Sequence, residues 1–501
     1  MESESETERT KPVAAFMAFG TKGDVFPIAA IAAGFACDQK QYNVIFITHS
    51  AHENLSSHLS EKHVAYFPIS SPPILSIDQI QNTTGSSELS FSLQKRMLTR
   101  DCRQECYSIM EMIFGCGPSM EGDFIAINFF ALEGWSLAEF FQVRCIVAAP
   151  YVVPYSAPSS FERQFKRDLP LLYKYLQESP IKQVCWKDVI HWMWPLFTEY
   201  WESWRCDDLK LSPCPFTDPV TGLPAWHDMP SSPLLLYGFS KEVVECPDYW
   251  PHRTRVCGFW FLPTEWQYSC AKCRELSSSV SAEHLYKKDQ LCSTHIKLQS
   301  FLETCTTVPP IFIGLSSVGS LGFLKDPQAF LHVLQTVLEI TSYRFILFTA
   351  GYEPLDAAIE IISDKASSHV TRHLSEDCHS LFKDRLFCFS GSISYNWLFT
   401  RCAAAVHHGG SGTTAAALHA GIPQVVCPFM LDQFYWAERM FWLGVAPEPI
   451  KRNNLVPENN DEKSVREAAN ILSRAIYDAL SPSTTACAKE ISERLSLEVK
   501  L

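Results

Sequence analysis

The chain has 501 residues, 47% hydrophobic and 19% charged. That is ample material for two or three large cores and unlike a disordered or coiled-coil protein. Its 42 Lys and Arg against 55 Asp and Glu leave a formal charge of −13, which argues against nucleic acid as a partner, because neutralising phosphates needs clustered cations. The 19 cysteines are odd in number and scattered, often within apolar runs as at Cys145 and Cys427, where a thiol acts as a small hydrophobe. The acidic start, residues 1–12, lacks the apolar core of a secretory signal, so a cytoplasmic protein is expected.

Residues 13–19 read as a strand, 20–24 as a glycine-containing turn, 28–36 as a helix and 42–48 as the next strand. This is the unit of a parallel α/β sheet, and runs at 64–69, 124–129 and 145–149 extend it. Between 161 and 226 the texture changes, with Trp186, Trp192, Trp194, Trp201 and Trp204 crowded among Tyr and Phe. That crowding fits either helix packing or a wall for a bulky apolar ligand or membrane surface. Residues 263–308 lack the rhythm and read as a linker. Its Cys270-Ala271-Lys272-Cys273 spacing has no second pair at a zinc-like distance, so no metal is expected. The rhythm restarts with a strand at 310–315, a helix at 327–338, and strands at 344–349, 386–389, 403–406 and 424–427. Val465, Ala469, Leu472, Ile476 and Leu480 stand at helical spacing. They predict an amphipathic helix over 462–480 that returns to the first domain and ties the halves together. The chain therefore divides into an N-terminal domain (13–262), the linker, a C-terminal domain (309–455) and a helical tail (456–501).

The chemistry concentrates in His407-His408-Gly409-Gly410-Ser411-Gly412-Thr413-Thr414, between a strand and a helical run. Small residues let backbone N–H groups approach a ligand, and a helix N-terminus offers unsatisfied donors with partial positive charge. Three hydroxyls and an imidazole complete an anion cradle that needs no metal. Capping the helix would require only one or two of these residues. Downstream, Asp432 is either a helix N-cap or, with Gln433, a grip for vicinal sugar hydroxyls.

The segments 397–399, 407–415, 421–423, 428–429, 432–433 and 443–445 together resemble the donor-binding half of sterol glucosyltransferases. Gly20-Thr21-Lys22-Gly23-Asp24-Val25-Phe26-Pro27, Thr48-His49 and Leu236-Tyr237-Gly238-Phe239-Ser240 are similar to that family's first half. The resemblance, to sterol 3-beta-glucosyltransferase-like family 1 UDP-glycosyltransferases, implies a GT-B fold, with two facing Rossmann-like domains and an interdomain cleft. It implies His407, Gly410, Ser411, Gly412 and Thr413 at the UDP diphosphate, Ser317 in the donor loop, Asp432 and Gln433 at the glucose, and Asp24 as catalytic base with His49 as the rival. The expected reaction is metal-independent, inverting transfer of glucose from UDP-glucose to a sterol or similar hydrophobic hydroxyl. UDP-glucose is then a co-substrate, no cofactor is expected, and any membrane contact is peripheral. A catalytically silent nucleotide-sugar or lipid binder and a UDP-sugar epimerase are the alternatives.

Overall fold

The apolar run that opens the chain becomes β1 (Val13–Met17), buried at every position. It is flanked in parallel by β2 (Asn43–His49) and β4 (Phe124–Ile127). A strand covered on both faces and bonded on both edges has no place for an alternating polar residue. With β3 (Val64–Ile69), β5 (Arg144–Ala149), β6 (Leu234–Tyr237) and β7 (Thr254–Val256) it forms a seven-stranded parallel sheet in the order β3-β2-β1-β4-β5-β6-β7. The second sheet contains β8 (Ile311–Gly314), β9 (Phe345–Phe348), β10 (Cys378–Leu381), β11 (Leu386–Phe389), β12 (Ala404–His407) and β13 (Gln424–Val426), ordered β10-β11-β9-β8-β12-β13. Only β10 runs antiparallel, joined to β11 through Phe382, Lys383 and Asp384, all at positive φ. These observations come from a computed structural model that describes residues 9–72, 87–115, 119–154, 157–180, 183–198, 201, 203–225, 233–267, 293–304, 308–366, 378–391 and 393–498. Cys270, Cys273 and the acidic residues 1–8 lie outside them.

In each sheet the strand order reverses beside the first strand, between β1 and β4 and between β8 and β12. Ligands of open α/β sheets bind outside the carboxyl ends of the strands at such switch points. The β1 switch point opens onto Gly20–Asp24, and the β12 switch point onto His407–Gly410.

The first helix, Lys22–Asp38, starts six residues earlier than its sequence pattern suggests. Thr21 caps it, and the Asp24 carboxylate takes the Thr21 N–H and hydroxyl, so the expected turn is the helix's first turn. The 28-residue helix Ser87–Phe114 and the strands β6, β7 and β10 were not evident in the sequence. The aromatic stretch resolves as packing. Trp192, Trp201 and Trp204 are buried in the first core, Trp186 packs on Phe165 and Tyr173, and the Arg103 guanidinium lies 4.3 Å from the Trp201 ring centre. None of the five tryptophans lines the cavity described below. Among the described residues no helix is long and apolar enough to cross a membrane.

The tail corrects one expectation. Helix Glu462–Ala479 packs inside the second half, with Leu472 and Ile476 in the same core as Val333 and Leu334. Ser481 and Pro482 then start a second helix, Pro482–Ser496, with Pro in its first turn. It is this helix that crosses back: Ala488, Ile491 and Leu495 share a core with Tyr237, Phe239 and Val244. Ser240 donates to Glu498 at 2.6 Å, and Arg494 pairs with Glu242. The same core takes Leu418, Trp436, Ala437 and Met440 from the second half, so the two sheets are held by one continuous apolar contact.

Candidate active site

Both switch points open into a single cavity of about 870 Å³. Its first-half wall carries Gly20–Asp24, Phe26, Pro27, Phe129, Phe130 and Tyr151, with Trp260 and Trp266 from the segment after β7. Its second-half wall carries His408, Gly410–Thr413 and Met430–Gln433. The cavity therefore brings Asp24 together with Gly410, Ser411, Gly412, Thr413, Asp432 and Gln433. His407 and His49 are not on its wall. Ser317 lies in the short helix Ser316–Ser320 after β8, with its side chain outside the described set; Val318 and Leu321 of this region reach the cavity.

Asp24 is held by its own helix start and by β4. Its Oδ2 accepts the Thr21 N–H at 2.8 Å and the Thr21 hydroxyl at 2.7 Å. The close approach depends on Gly20, at φ +103°, where a Cβ would lie 2.8 Å from Oδ2. Behind it sits Asn128, fully buried at the end of β4, a residue the sequence reading missed. Its amide donates to the Phe19 and Asp24 carbonyls and accepts from the Phe19 and Phe130 N–H groups. Asn128→Ala is expected to cost several kcal/mol, at about 1–3 per buried group left unpaired, measurable as a lowered denaturant midpoint at unchanged m. Burial pushes the Asp24 carboxyl up to about 6, against the lowering effect of the Thr21 bonds.

The elbow after β12 places its two histidines differently. His407 is fully buried: its ring bonds Gln424 Oε1 at 2.8 Å through Nε2, while Nδ1 accepts the Gly409 N–H at 3.0 Å. Both ring nitrogens are thus used inside the protein, and burial pushes the group down to about 3. Its neighbour His408 lines the cavity instead, its ring hydrogen-bonded to the Gly314 carbonyl and its buried Nδ1 lacking a partner. Burial keeps His408 neutral too, at about 4. Gly410 fits beneath it because a Cβ there would lie 2.6 Å from His408 Nε2. Gly410 is the N-cap of helix Ser411–Ala420 and carries no capping side chain, so the first N–H groups of that helix lie at the cavity, the geometry that favours an anion.

Asp432 occupies the N-cap position of helix Gln433–Trp442 without capping it. Its Oδ2 accepts the Trp436 indole N–H at 3.0 Å. Burial, and next the charge of Asp24, push this carboxyl up to about 7, while Trp436 pulls it down. The Gln433 amide oxygen is committed to the Phe429 and Met430 N–H groups at 2.9 and 3.2 Å, which bridges the left-handed Leu431 (φ 50°). Only the amide nitrogen is left to donate, so the expected two-way use of this amide is reduced to donation. Tyr151 completes the polar group, its phenol raised by burial and by the charges of Asp24 and Asp432.

His49 donates through Nδ1 to the Ser71 carbonyl, 2.7 Å away, and burial pushes it down to about 4. Its neighbour His52 holds the Gly20 carbonyl at 2.9 Å. His52 thereby braces the loop that carries Asp24, and His49 packs on Phe19 just before it, 4.9 Å between ring centroids. Among the described residues no group of three or more His, Cys, Asp or Glu could hold a metal ion.

Residues 388–482, which carry the elbow, match a family model described as the C-terminal domain of erythromycin biosynthesis protein CIII-like proteins. The sterol 3-beta-glucosyltransferase UGT80B1 of Arabidopsis thaliana is 25% identical over 451 residues, 89% of this chain and 61% of that protein. A sterol 3-beta-glucosyltransferase of Debaryomyces hansenii is 25% identical over 490 residues, 96% of this chain but 26% of its own length. The chain thus spans less than two thirds of these relatives. Among solved structures, CalG4, the calicheamicin glycosyltransferase, aligns over 97% of this chain and 95% of its own, with a TM-score of 0.54 at 12% identity. UGT89C1 of Arabidopsis thaliana aligns over 97% and 95%, with a TM-score of 0.53 at 12% identity. At such identity these structures speak for the architecture alone. The chain is a GT-B-fold protein whose residues 388–482 resemble the erythromycin-CIII-like C-terminal domain, and it is similar over most of its length to sterol 3-beta-glucosyltransferases.

Proposed function

We propose that the chain is an inverting glucosyltransferase that moves glucose from UDP-glucose to the hydroxyl of a sterol or similar hydrophobic acceptor. The observation that carries this reading is the meeting of Asp24 with the glycine-and-hydroxyl elbow and Asp432 on one cavity whose first-half wall also presents the aromatic rings of Phe129, Phe130, Trp260 and Trp266. The relatives' names favour glucose and a sterol.

In this mechanism the elbow N–H groups, Ser411, Thr413 and the His408 imidazole hold the UDP diphosphate. The role expected of His407 passes to His408, while His407 fixes the elbow. Asp432 accepts from hexose hydroxyls and the Gln433 amide donates to them. The acceptor hydroxyl lies between Phe129, Phe130 and Trp260, near Asp24. A sterol hydroxyl is too weak an acid to ionise unaided, so Asp24 takes its proton as the new bond to the anomeric carbon forms. The carbon–oxygen bond to UDP breaks, its electron pair goes to the phosphate, and the helix N-terminus stabilises that charge. Attack from the face opposite UDP inverts the anomeric centre. Backbone donors and hydroxyls bind the donor in this scheme, which needs neither metal nor cofactor.

Incubating the protein with UDP-glucose and a panel of sterols tests the reading. A β-linked sterol glucoside, seen by mass and by proton NMR, is the expected product. Release of a free epimerised sugar nucleotide without acceptor would select the epimerase reading. Tight UDP-glucose binding with no product from any hydroxyl lipid would leave a silent binding protein.

A further inference from the structure

Trp436 sits four residues beyond Asp432 on the same helix, fully buried, with its indole N–H on the Asp432 carboxylate at 3.0 Å. A tryptophan N–H is a donor only, so it holds the carboxylate in the rotamer and charge state in which the other oxygen can accept. The ring itself is anchored from the opposite half of the molecule. Phe239, after β6, and Phe259, after β7, each lie 6.4 Å from it between centroids. Arg439, on the same helix, donates to the Val243 carbonyl. The helix that carries Asp432 is therefore oriented by the first half of the chain.

We propose that Trp436 is a positioning residue for hexose recognition: its indole N–H fixes the Asp432 carboxylate, while its ring, wedged into the first half's core, keeps that carboxylate facing the cleft. The inference rests on the reading of Asp432 as the group that grips the donor sugar. Trp436 touches no ligand and acts through Asp432 alone.

The test is Trp436→Phe, which keeps an aromatic ring in the core and removes the donor. Calorimetric affinities for UDP and for UDP-glucose are compared, since only the second has a hexose to hold. Wild type is expected to bind UDP-glucose more tightly than UDP. In the variant UDP affinity is unchanged and the hexose advantage falls by about tenfold, the effect of losing a hydrogen bond to a charged group. The pH dependence supplies a readout that a packing role would not move. Without the N–H the Asp432 carboxyl rises further above its position of about 7, so the pH below which the hexose advantage fades moves upward. Asp24 and Tyr151 are the titratable groups that face Asp432 from the first half, and repeating the titration with Asp24→Asn assigns the shift to Asp432. In the Asp432→Asn background, Trp436→Phe should have no further effect on hexose affinity, because coupled residues are not additive. Equal losses of UDP and UDP-glucose affinity, an unmoved pH profile, or full additivity in that double variant would each overturn the proposal. A wild-type protein that binds UDP and UDP-glucose alike would overturn the hexose grip itself, and the role of Trp436 with it.

Discussion

Asp24→Asn is expected to lower kcat for sugar transfer by about 10²–10⁴-fold, the contribution of a positioned general base, with UDP-glucose affinity preserved. The asymmetry follows from where the residue sits. Asp24 belongs to the first half and, among the described residues, its side chain bonds Thr21, whereas the elbow and Asp432 are in the second half. Asparagine keeps an oxygen for the Thr21 N–H, so the helix start survives. The pH profile gives the sign. A base must be ionised, and burial holds Asp24 at about 6; at saturating UDP-glucose, where the Asp432 grip no longer limits, transfer therefore rises with pH through about 6 and is lost below it. In the variant this limb disappears. Stability should move the other way: a carboxyl raised by burial weakens the folded state as pH climbs through its folded value. At pH 8 the variant should melt no lower than the native protein. A variant that kept near-native turnover would remove Asp24 from the chemistry.

The second large effect separates two adjacent histidines. His407→Ala is expected to act on stability, because it strands the Gln424 amide oxygen and the Gly409 N–H in a site with no access to water. Each such orphan costs about 1–3 kcal/mol, to which the emptied volume adds. His408→Ala is expected to fold normally and to weaken UDP and UDP-glucose alike, by about tenfold, since its imidazole lines the cavity where the diphosphate is proposed to lie. Thermal melts and calorimetry on the pair decide this. A stable His407→Ala that has lost UDP binding would return the diphosphate contact to His407.

The different placement of these two residues, one buried and one at the cavity, shows where the sequence stops being legible. A His-His pair after an apolar strand announces an imidazole at an elbow, but side chains alternate across a strand, and nothing local says which one points inward. The deciding partner, Gln424, lies on the neighbouring strand β13 and becomes relevant only once the sheet forms. Asn128 was hidden for the same reason: at the end of an apolar run it looks like a strand terminus, and three of its four side-chain bonds go to the backbone of Phe19 and Asp24, far away in the chain. By contrast β1, β2, β8 and β12 were visible because parallel strands buried on both faces are uninterrupted apolar runs. Helix Ser87–Phe114 escaped notice because, among its described side chains, the buried Cys106, Met110 and Phe114 are interspersed with charged and polar residues and a buried Arg103. The bridging helix Pro482–Ser496 shows Ala488, Ile491 and Leu495 as its buried face, too sparse a stripe to stand out. The glycines and hydroxyls of the elbow were conspicuous because the turn is local: one short run of sequence both makes it and brings Gly410–Thr413 to the cavity.

The most direct test follows the label of radioactive UDP-glucose between water and organic solvent after incubation with sterol-containing vesicles. The account predicts that radioactivity enters the organic phase with the native protein and stays in water with Asp24→Asn, though both bind the nucleotide sugar equally. Label retained in water by the native protein, at full donor occupancy and with sterol in excess, would contradict it.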